Sequence, residues 1–313
     1  MVKFRQDKQV GGIVVGEQEM QENSDTENQQ GPPGARKHKD WLFCDIFSIK
    51  EYALSLYNAT NDTNYTDAKD LEIYTIAQTV FITIHNDVAV CFHGHMELFE
   101  QQSTKSANVP LREFLYSAEE YAKWLNRNKK DLFGSKLVKI PAPKCFELYN
   151  GTTRAPERSV KRLSDAFMHP APGYEWTVHV ININAANNKG IMDRCEPLKA
   201  YAVFVQRVRD NRAAGMELRV AIKEAVDYCI KQDLLAGYFA ENRGRVEDMM
   251  WSEYNARIHE ENLKNEGRME MLTDMILSML KRKKDPSYIA EDLEVSLDIV
   301  LSTAKAHNIP VVQ

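Results

Sequence analysis

The 313-residue chain lacks several features that would point to particular classes of protein. It has no uninterrupted apolar run near the roughly 20 residues that a membrane helix needs. Its first residues also lack the apolar block of a signal peptide. Its five cysteines include no CxxC pair, which argues against a disulfide framework or a zinc cluster and predicts buried thiols. We therefore expect a cytoplasmic protein without a membrane segment.

A strong excess of one charge is also lacking, since the net charge is −5. That balance argues against a protein that coats nucleic acid without specificity, but it leaves room for a local basic surface around an acidic site. Hydrophobic residues make up 43% of the chain, which is enough for a sizeable core and excludes disorder of the whole chain.

Four segments are predicted from changes in composition and periodicity along the chain. Residues 1–38 are rich in Gln, Glu, Asn and Asp, and they predict a disordered polar leader. An α/β core is expected over residues 39–190. A helical extension follows over residues 191–265, and a short helical segment over residues 266–313 ends the chain.

The core segment predicts the order helix, three strands, helix, strand. Apolar residues spaced three to four apart predict one helix over 41–58, and the strand-like composition of 73–84 predicts the first strand. Residues 88–92 and 96–100 then predict an antiparallel hairpin with a tight turn at Gly94.

The second helix of the core is expected to start near Pro110, because proline suits the first turn of a helix. Its apolar residues predict the face that packs on the sheet. They are Leu111, Phe114, Leu115, Ala118, Tyr121, Ala122 and Leu125. Further strands are predicted at 145–149 and 176–183, and the pattern is helical almost throughout the remainder of the chain.

Two carboxylates are placed symmetrically about the turn of the predicted hairpin. Asp87 opens one strand and Glu100 ends the other, so folding the hairpin brings the two side chains together. Neighbouring carboxylates repel and stay ionised best around a cation, and their oxygen atoms favour Mg²⁺ or Mn²⁺. Gln102 faces the same side as Glu100, where it can orient a water or a phosphate oxygen. The alternative is that Asp87 caps a turn and Glu100 is a solvated charge.

At these residues the chain resembles the PD-(D/E)XK nuclease superfamily and, more narrowly, the bacterial recombination-promoting nuclease and transposase-like family. The similarity rests on residues 39–43 (KDWLF), 86–87 (ND), 100–104 (EQQST) and 148–151 (LYNG), and it covers about residues 39–240. It implies a restriction-endonuclease-like core, a metal-dependent DNA endonuclease activity, and a role in recombination or mobile-element activity.

The resemblance also implies roles for individual residues of the acidic site. Asp87 and Glu100 would be the metal-binding carboxylates, and Asp40 would add an outer ligand. Gln102 stands where the superfamily usually has lysine. A lysine would place a fixed positive charge beside the scissile phosphate, and glutamine cannot supply that charge.

Contacts with DNA are expected on the helix after the motif and just beyond it. Arg112 and Tyr116 lie one turn apart, like a polar residue and a tyrosine that face the site in related nucleases, and Arg112 would pair with a phosphate. Alternatively, Arg112 is a surface charge and Tyr116 a core residue.

Seven basic residues follow, opposed by Asp131 alone, and predict either a phosphate-binding surface or a solvated face. They are Lys123, Arg127, Lys129, Lys130, Lys136, Lys139 and Lys144.

The C-terminal segment permits two interpretations. Its apolar stripe predicts a packed core or a dimer seam, and its two last helices, with Ser287 and Ser296 as N-caps, would also suit a helix-turn-helix. The stripe consists of Met269, Leu272, Met275, Ile276, Met279 and Leu280. Because the second short helix is poor in Arg and Lys, packing or self-association is favoured.

The sequence as a whole predicts a DNA endonuclease that uses Mg²⁺ or Mn²⁺, has no small-molecule cofactor and can form a homodimer. The runner-up is an interaction protein that keeps the nuclease fold, has weak or no activity and dimerises through its helical tail. A third interpretation is a nuclease that acts on RNA, which only an assay of both polymers would distinguish.

Overall fold

The computed structural model describes residues 40–74, 87–185 and 187–310. The predicted leader lies outside the described residues, and so do Asn86 and most of the predicted first strand. The strands are β1 Glu72–Tyr74, β2 Val88–Phe92, β3 His95–Gln102, β4 Ala142–Tyr149, β5 Arg158–Arg162 and β6 Thr177–Asn182. The helices are α1 Trp41–Phe47, α2 Lys50–Asn61, α3 Val109–Arg127, α4 Lys189–Arg194, α5 Glu196–Ala213, α6 Leu218–Lys231, α7 Tyr238–Glu241, α8 Arg243–Lys281, α9 Pro286–Asp292 and α10 Leu297–Ala306.

The six strands form one mixed sheet in the order β1-β2-β3-β4-β6-β5, which confirms the predicted α/β class. β2 and β3 form the predicted antiparallel hairpin, and β3, β4 and β6 are parallel neighbours. β5 was not predicted. It is the antiparallel edge strand beside β6, and its sequence, RSVKR, carries no alternation of apolar and polar residues.

The two faces of the sheet are covered by different helices. On one face, Val88, Val90 and Phe99 pack in a core shared with α1, α2 and α5. On the other face, Met96 and Leu98 pack with Val109 and Tyr116 of α3. Because side chains alternate along a strand, Glu100 and Gln102 belong to the α3 face, and Glu97 belongs to the opposite face.

The single helix predicted over 41–58 is wrong, because the chain forms α1 and α2 instead. Ile49 between them has extended backbone angles (φ −84°, ψ 122°). The Ser48 hydroxyl donates to the Asp45 carbonyl at 2.6 Å, a local bond that competes with continuation of the helix. The break changes the direction of the chain, so both short helices can cover the sheet.

Helix α3 turns a different face to the sheet from the one predicted. Its buried residues are Val109, Pro110, Glu113, Tyr116, Ser117 and Glu120. Leu111 and Leu115 are 44% and 40% exposed, and Ala118 and Ala122 are exposed as well. The predicted face is therefore wrong for these four residues, whereas Phe114, Tyr121 and Leu125 are half-buried and Tyr121 packs against the core of this face.

Helix α8 runs without interruption through the boundary predicted at residues 265 and 266. Near its end, Ile276 and Leu280 pack with α9 and α10 in a small separate core, so part of the predicted stripe is core. The N-cap of α9 is Asp285, whose carboxylate accepts from two backbone N–H groups, and the prediction of Ser287 is wrong. Ser296 does occupy the N-cap position of α10.

Two predictions about the chain's character can be compared with the structure. All five cysteines are free; four are buried and Cys91 is half-buried, which largely confirms the expectation of buried thiols. In the described part of the chain, no helix combines the length and the apolar character needed to cross a membrane.

Candidate functional site

The hairpin sets the position of the two predicted carboxylates. Its two-residue turn has positive φ at both His93 (46°) and Gly94 (76°), as the tightest hairpin turns require. Val88 pairs with Phe99, so the next position places Asp87 opposite Glu100. The Asp87 carboxylate also accepts a hydrogen bond from the Gln101 backbone N–H at 2.8 Å. The register therefore brings the pair together as predicted.

Glu100 is a buried carboxylate with two strong donors. Its Oε1 atom accepts from Arg112 Nη2 at 2.9 Å and from Gln102 Nε2 at 2.9 Å. Glu100 is 3% exposed, so the alternative of a solvated charge at a strand end is wrong. The Arg112 side chain is 13% exposed and forms an ion pair with Glu100, so it is not a free surface charge either.

A third carboxylate, Glu147, extends the acidic pair into a row. Glu147 on β4 is the register partner of Glu100, and the two side chains lie on the same face of neighbouring parallel strands. It is 1% exposed. The row Asp87, Glu100, Glu147 thus comes from three adjacent segments of the sheet, and we call it the acidic row.

A second cation, Lys161 of β5, reaches the acidic row from the edge of the sheet. Its Nζ atom lies 2.5 Å from Glu147 Oε2 and donates to the Ser106 carbonyl at 2.8 Å. The Ser106 hydroxyl in turn accepts from Arg112 at 3.4 Å. Arg112 and Lys161 therefore both contact Ser106, one at its hydroxyl and the other at its carbonyl, while each also bonds a carboxylate of the acidic row.

Sequence analysis missed Glu147 and Lys161. A charged residue at the centre of the predicted strand 145–149 was a usable signal, because glutamate is rarely buried unless it is paired. Lys161 had no such signal. It lies on a strand whose sequence does not predict a strand, and its contact with Glu147 depends on the fold of the whole sheet.

Tyr116 lies in the core beside Glu100, as one of its two predicted roles requires. It is 1% exposed, and burial followed by the charge of Glu100 raises the pKa of its hydroxyl. Among the described residues, its hydroxyl has no hydrogen-bond partner. Tyr116 is therefore a core residue beside the acidic pair, and its hydroxyl is buried without a described hydrogen-bond partner.

The predicted outer ligand, Asp40, is used to hold the first helix in place. Its carboxylate accepts from the Phe43 N–H at 2.9 Å, which caps α1, and from the Tyr201 hydroxyl. One turn further along α1, Cys44 Sγ donates to the Asp87 carbonyl at 3.4 Å. The described contacts of Asp40 thus make it a positioning residue for the helix that touches Asp87.

The predicted basic residues lie at the other end of α3. Arg127 is 15 positions beyond Arg112, which is about 22 Å along a helix. Lys123 pairs with Glu119 and Glu120, and Arg127 pairs with Glu72 and covers the Tyr74 ring. Lys129 is exposed, and Lys130 lies 5.9 Å from the Trp124 ring. The structure does not bring these four residues to the acidic row.

The donor set of the acidic row suits a hard divalent ion that keeps much of its water. Within the described ranges, no group of three or more His, Cys, Asp or Glu side chains is arranged to hold a metal. Magnesium requires less, because one or two carboxylates together with waters and phosphate oxygens complete its shell. Asp87 and Glu100, with Glu147 beside them, provide oxygen ligands of that kind.

Comparison of the chain with family models, with curated proteins and with solved structures finds no match in any of the three.

Proposed function

We propose that the protein is a metal-dependent DNA endonuclease whose site is the acidic row. The observation that carries the proposal is the arrangement of three buried carboxylates on adjacent segments, with Arg112 and Lys161 bonded to two of them. Burying this many charges in one place is costly for a purely structural purpose, and such clusters occur mainly at functional sites.

The element order and the mixed sheet support a restriction-endonuclease-like core as part of this proposal. A helical layer, three strands, α3 and β4 follow one another as the resemblance implies. The hairpin carries Asp87 and Glu100 on its two arms, which is the arrangement expected from the D-led hairpin and the EQQST run. The role in recombination or mobile-element activity rests on the resemblance alone.

Asp87 and Glu100 would hold Mg²⁺ or Mn²⁺, with Glu147 as a neighbouring carboxylate. When bound, the ion would polarise the phosphate and lower the pKa of an attacking water. The Gln102 amide nitrogen is fixed on Glu100, so its side-chain oxygen is the atom that can accept a hydrogen bond from that water. Gln102 would therefore orient the nucleophile.

Arg112 and Lys161 would supply the positive charge that glutamine at position 102 cannot. Both cations lie beside the acidic row, and both contact Ser106 in the loop after β3. A guanidinium or an ammonium group at this position can stabilise the charge that develops on a phosphate oxygen. The departure of Gln102 from the usual lysine is thus compatible with activity.

The test is nicking of supercoiled plasmid by the purified full chain with Mg²⁺, Mn²⁺, Ca²⁺ or EDTA. Asp87→Asn and Glu100→Gln should each lower the rate by about 100-fold or more, because several kcal/mol of charge stabilisation depend on the ion. Glu97→Gln is the matched control, since Glu97 lies on the same strand and faces the other side of the sheet. It should cut at the parent rate.

Two outcomes would contradict the proposal. Equal nicking by all four proteins would show that the activity is a contaminant or lies elsewhere. No cleavage of plasmid, single-stranded DNA or RNA with any metal would favour the alternative, an interaction protein with a nuclease fold. Cleavage of RNA but not DNA would support the acidic row as the site and would show that the substrate is RNA.

A further inference from the structure

The edge strand β5 carries an unusual concentration of positive charge. Three of its five residues are basic, and Arg158 and Arg162 are exposed. Two more exposed basic residues lie in the neighbouring loops, where Lys105 Nζ donates to the Arg154 carbonyl at 2.8 Å. We call Lys105, Arg154, Arg158 and Arg162 the basic rim.

The basic rim is poorly neutralised by the protein itself. Within the part of the chain that the structure describes, Lys105, Arg154 and Arg158 take part in no ion pair. Arg158 Nε donates to the neutral side chain of Asn188 at 3.0 Å. The pKa of the exposed Glu175 is lowered first by the hydrogen bond from the Ser164 hydroxyl, and the charge of Arg162 adds a smaller effect in the same direction. Positive charge that is left this open is suited to an anionic partner.

The register of the sheet places the rim level with the acidic row. Arg158 pairs with Ile181, Ile181 pairs with Leu148, and Leu148 pairs with Gln101, next to Glu100. Because side chains alternate along a strand, Arg158 and Arg162 lie on the face opposite Glu100, whereas Lys161 lies on the same face as Glu147. Three strand spacings separate β3 from β5, which is about 14 Å. Lys161 of the same edge strand bridges part of that gap by reaching Glu147.

We propose that the phosphate backbone of a nucleic acid binds along the basic rim and from there reaches the acidic row past Lys161. This inference rests on the proposed function and names the surface that guides its substrate. Arg158 and Arg162 are four residues apart on the face opposite Lys161, so about 13 Å of strand presents two guanidinium groups to a polymer, which would cross the outer edge of β5 to reach Lys161. Guanidinium groups match phosphate geometry, and the outer edge of β5, which pairs with no further strand in the described part of the chain, can add backbone N–H donors.

The experiment measures binding without cleavage. Fluorescence anisotropy of a labelled DNA duplex is recorded in EDTA and in Ca²⁺ over a range of salt concentrations. The rim variant is Lys105→Gln/Arg154→Gln/Arg158→Gln. The control is Lys129→Gln/Lys136→Gln/Lys139→Gln, which removes the same charge from exposed residues near the far end of α3. Thermal melts check that both variants are folded.

The rim variant should bind more weakly and with a shallower salt dependence. The slope of log affinity against log salt should fall by about 0.9 for each phosphate that the variant no longer neutralises, while the control keeps the parental slope. The proposal is overturned if the control is weakened as much as the rim variant, or if the parent does not bind DNA. Equal, rim-dependent binding to vesicles of anionic lipid would also overturn it, in favour of a membrane surface.

The two proposals can fail separately. If the parent binds DNA through the rim but cuts no polymer, the endonuclease proposal is contradicted and the proposed binding surface is supported. If the rim variant binds DNA with the parental affinity and cuts it at the parental rate in a metal-dependent way, the proposed binding surface is contradicted and the endonuclease proposal is supported.

Discussion

Glu97 and Glu100 are three residues apart on β3, yet they lie on opposite faces of the sheet and meet different partners. Glu97 accepts from Asn61 Nδ2 at 2.7 Å and from the Thr60 hydroxyl at 3.4 Å, which are neutral donors. Glu100 accepts from the Arg112 guanidinium. Burial raises the pKa of Glu97 to about 7, although the two hydrogen bonds and nearby Lys144 act in the opposite direction.

The comparison teaches that two buried carboxylates on one strand can have partners of different charge. A buried glutamate among neutral donors is readily protonated, and its proton then removes the cost of burying the charge. A buried glutamate bonded to an arginine has a charged partner, and that partner offsets part of the cost of burying its own charge. The odd offset between the two glutamates predicts from the sequence that they face opposite sides of the strand, but it does not predict which donors each one meets.

The largest loss of stability is expected from removing Arg112, the cation that pairs with Glu100. Arg112→Ala should lower the free energy of unfolding by about 3 kcal/mol, because it leaves a buried carboxylate without its ion-pair partner. Nicking activity should also fall sharply. Chemical denaturation and the plasmid assay measure the two effects. Arg112→Lys keeps the charge and should recover most of the stability; a stable Arg112→Ala protein would show that the ion pair is unimportant.

A change in stability of comparable size is expected from Glu97, but it appears only when stability is measured as a function of pH. Between pH about 4.3, where an unfolded glutamate titrates, and about 7, the folded state binds more protons than the unfolded state. The parent therefore loses stability as the pH rises through that window. Glu97→Gln cannot titrate, so its stability relative to the parent should improve by up to about 3 kcal/mol from pH 4 to pH 8.

Denaturant unfolding of the parent and Glu97→Gln at several pH values measures this difference. A stability difference that stays constant from pH 4 to pH 8 would show that Glu97 titrates normally and would remove the contrast between the two glutamates.

A smaller change in stability is expected from removing the Tyr116 hydroxyl, which lies beside Glu100. Tyr116→Phe removes a buried polar atom that has no hydrogen-bond partner among the described residues, so it should raise the free energy of unfolding by up to about 1 kcal/mol. Tyr116→Ala would instead cost about 3 kcal/mol or more through the cavity it leaves. Equilibrium unfolding compares both with the parent. A loss of stability in Tyr116→Phe would reveal a partner for the hydroxyl.

The smallest effect is expected on the outer side of α3. Leu115→Gln should change the free energy of unfolding by no more than about 0.5 kcal/mol, because the leucine is 40% exposed. Val109→Ala is the matched comparison, since Val109 is fully buried on the same helix, and it should cost about 1 kcal/mol or more. Thermal melts of the two variants measure the difference, and the reverse order would restore the face predicted from the apolar spacing.

The hairpin and its acidic pair were predictable because they depend on local information. A glycine turn fixes the register, and the register fixes which residues lie opposite one another. Gln102 on the face of Glu100 followed from the same alternation. Glu147 could not be placed beside Glu100 in this way, because parallel neighbours are joined by a long crossover and their register depends on tertiary packing.

The face of α3 was mispredicted for a related reason. Apolar spacing identifies the buried face when the surface beneath a helix is apolar. The sheet face beneath α3 carries Glu100 as well as Met96 and Leu98, and the helix buries Glu113, Ser117 and Glu120 while Leu115 is exposed. Apolar spacing alone therefore does not identify the buried face of α3. The break at Ile49 and the strand β5 were missed because neither has a signal in the local sequence.

The position of β5 at the edge of the sheet formed by the described residues has a consequence for the behaviour of the protein at high concentration. An exposed strand edge can pair with the edge of another copy, and such pairing leads to aggregation. Arginines at both ends of β5 would bring like charges together in an antiparallel pair of edges, so they oppose that contact. The same charges that suit a phosphate backbone would thus keep the sheet from extending into a neighbouring molecule.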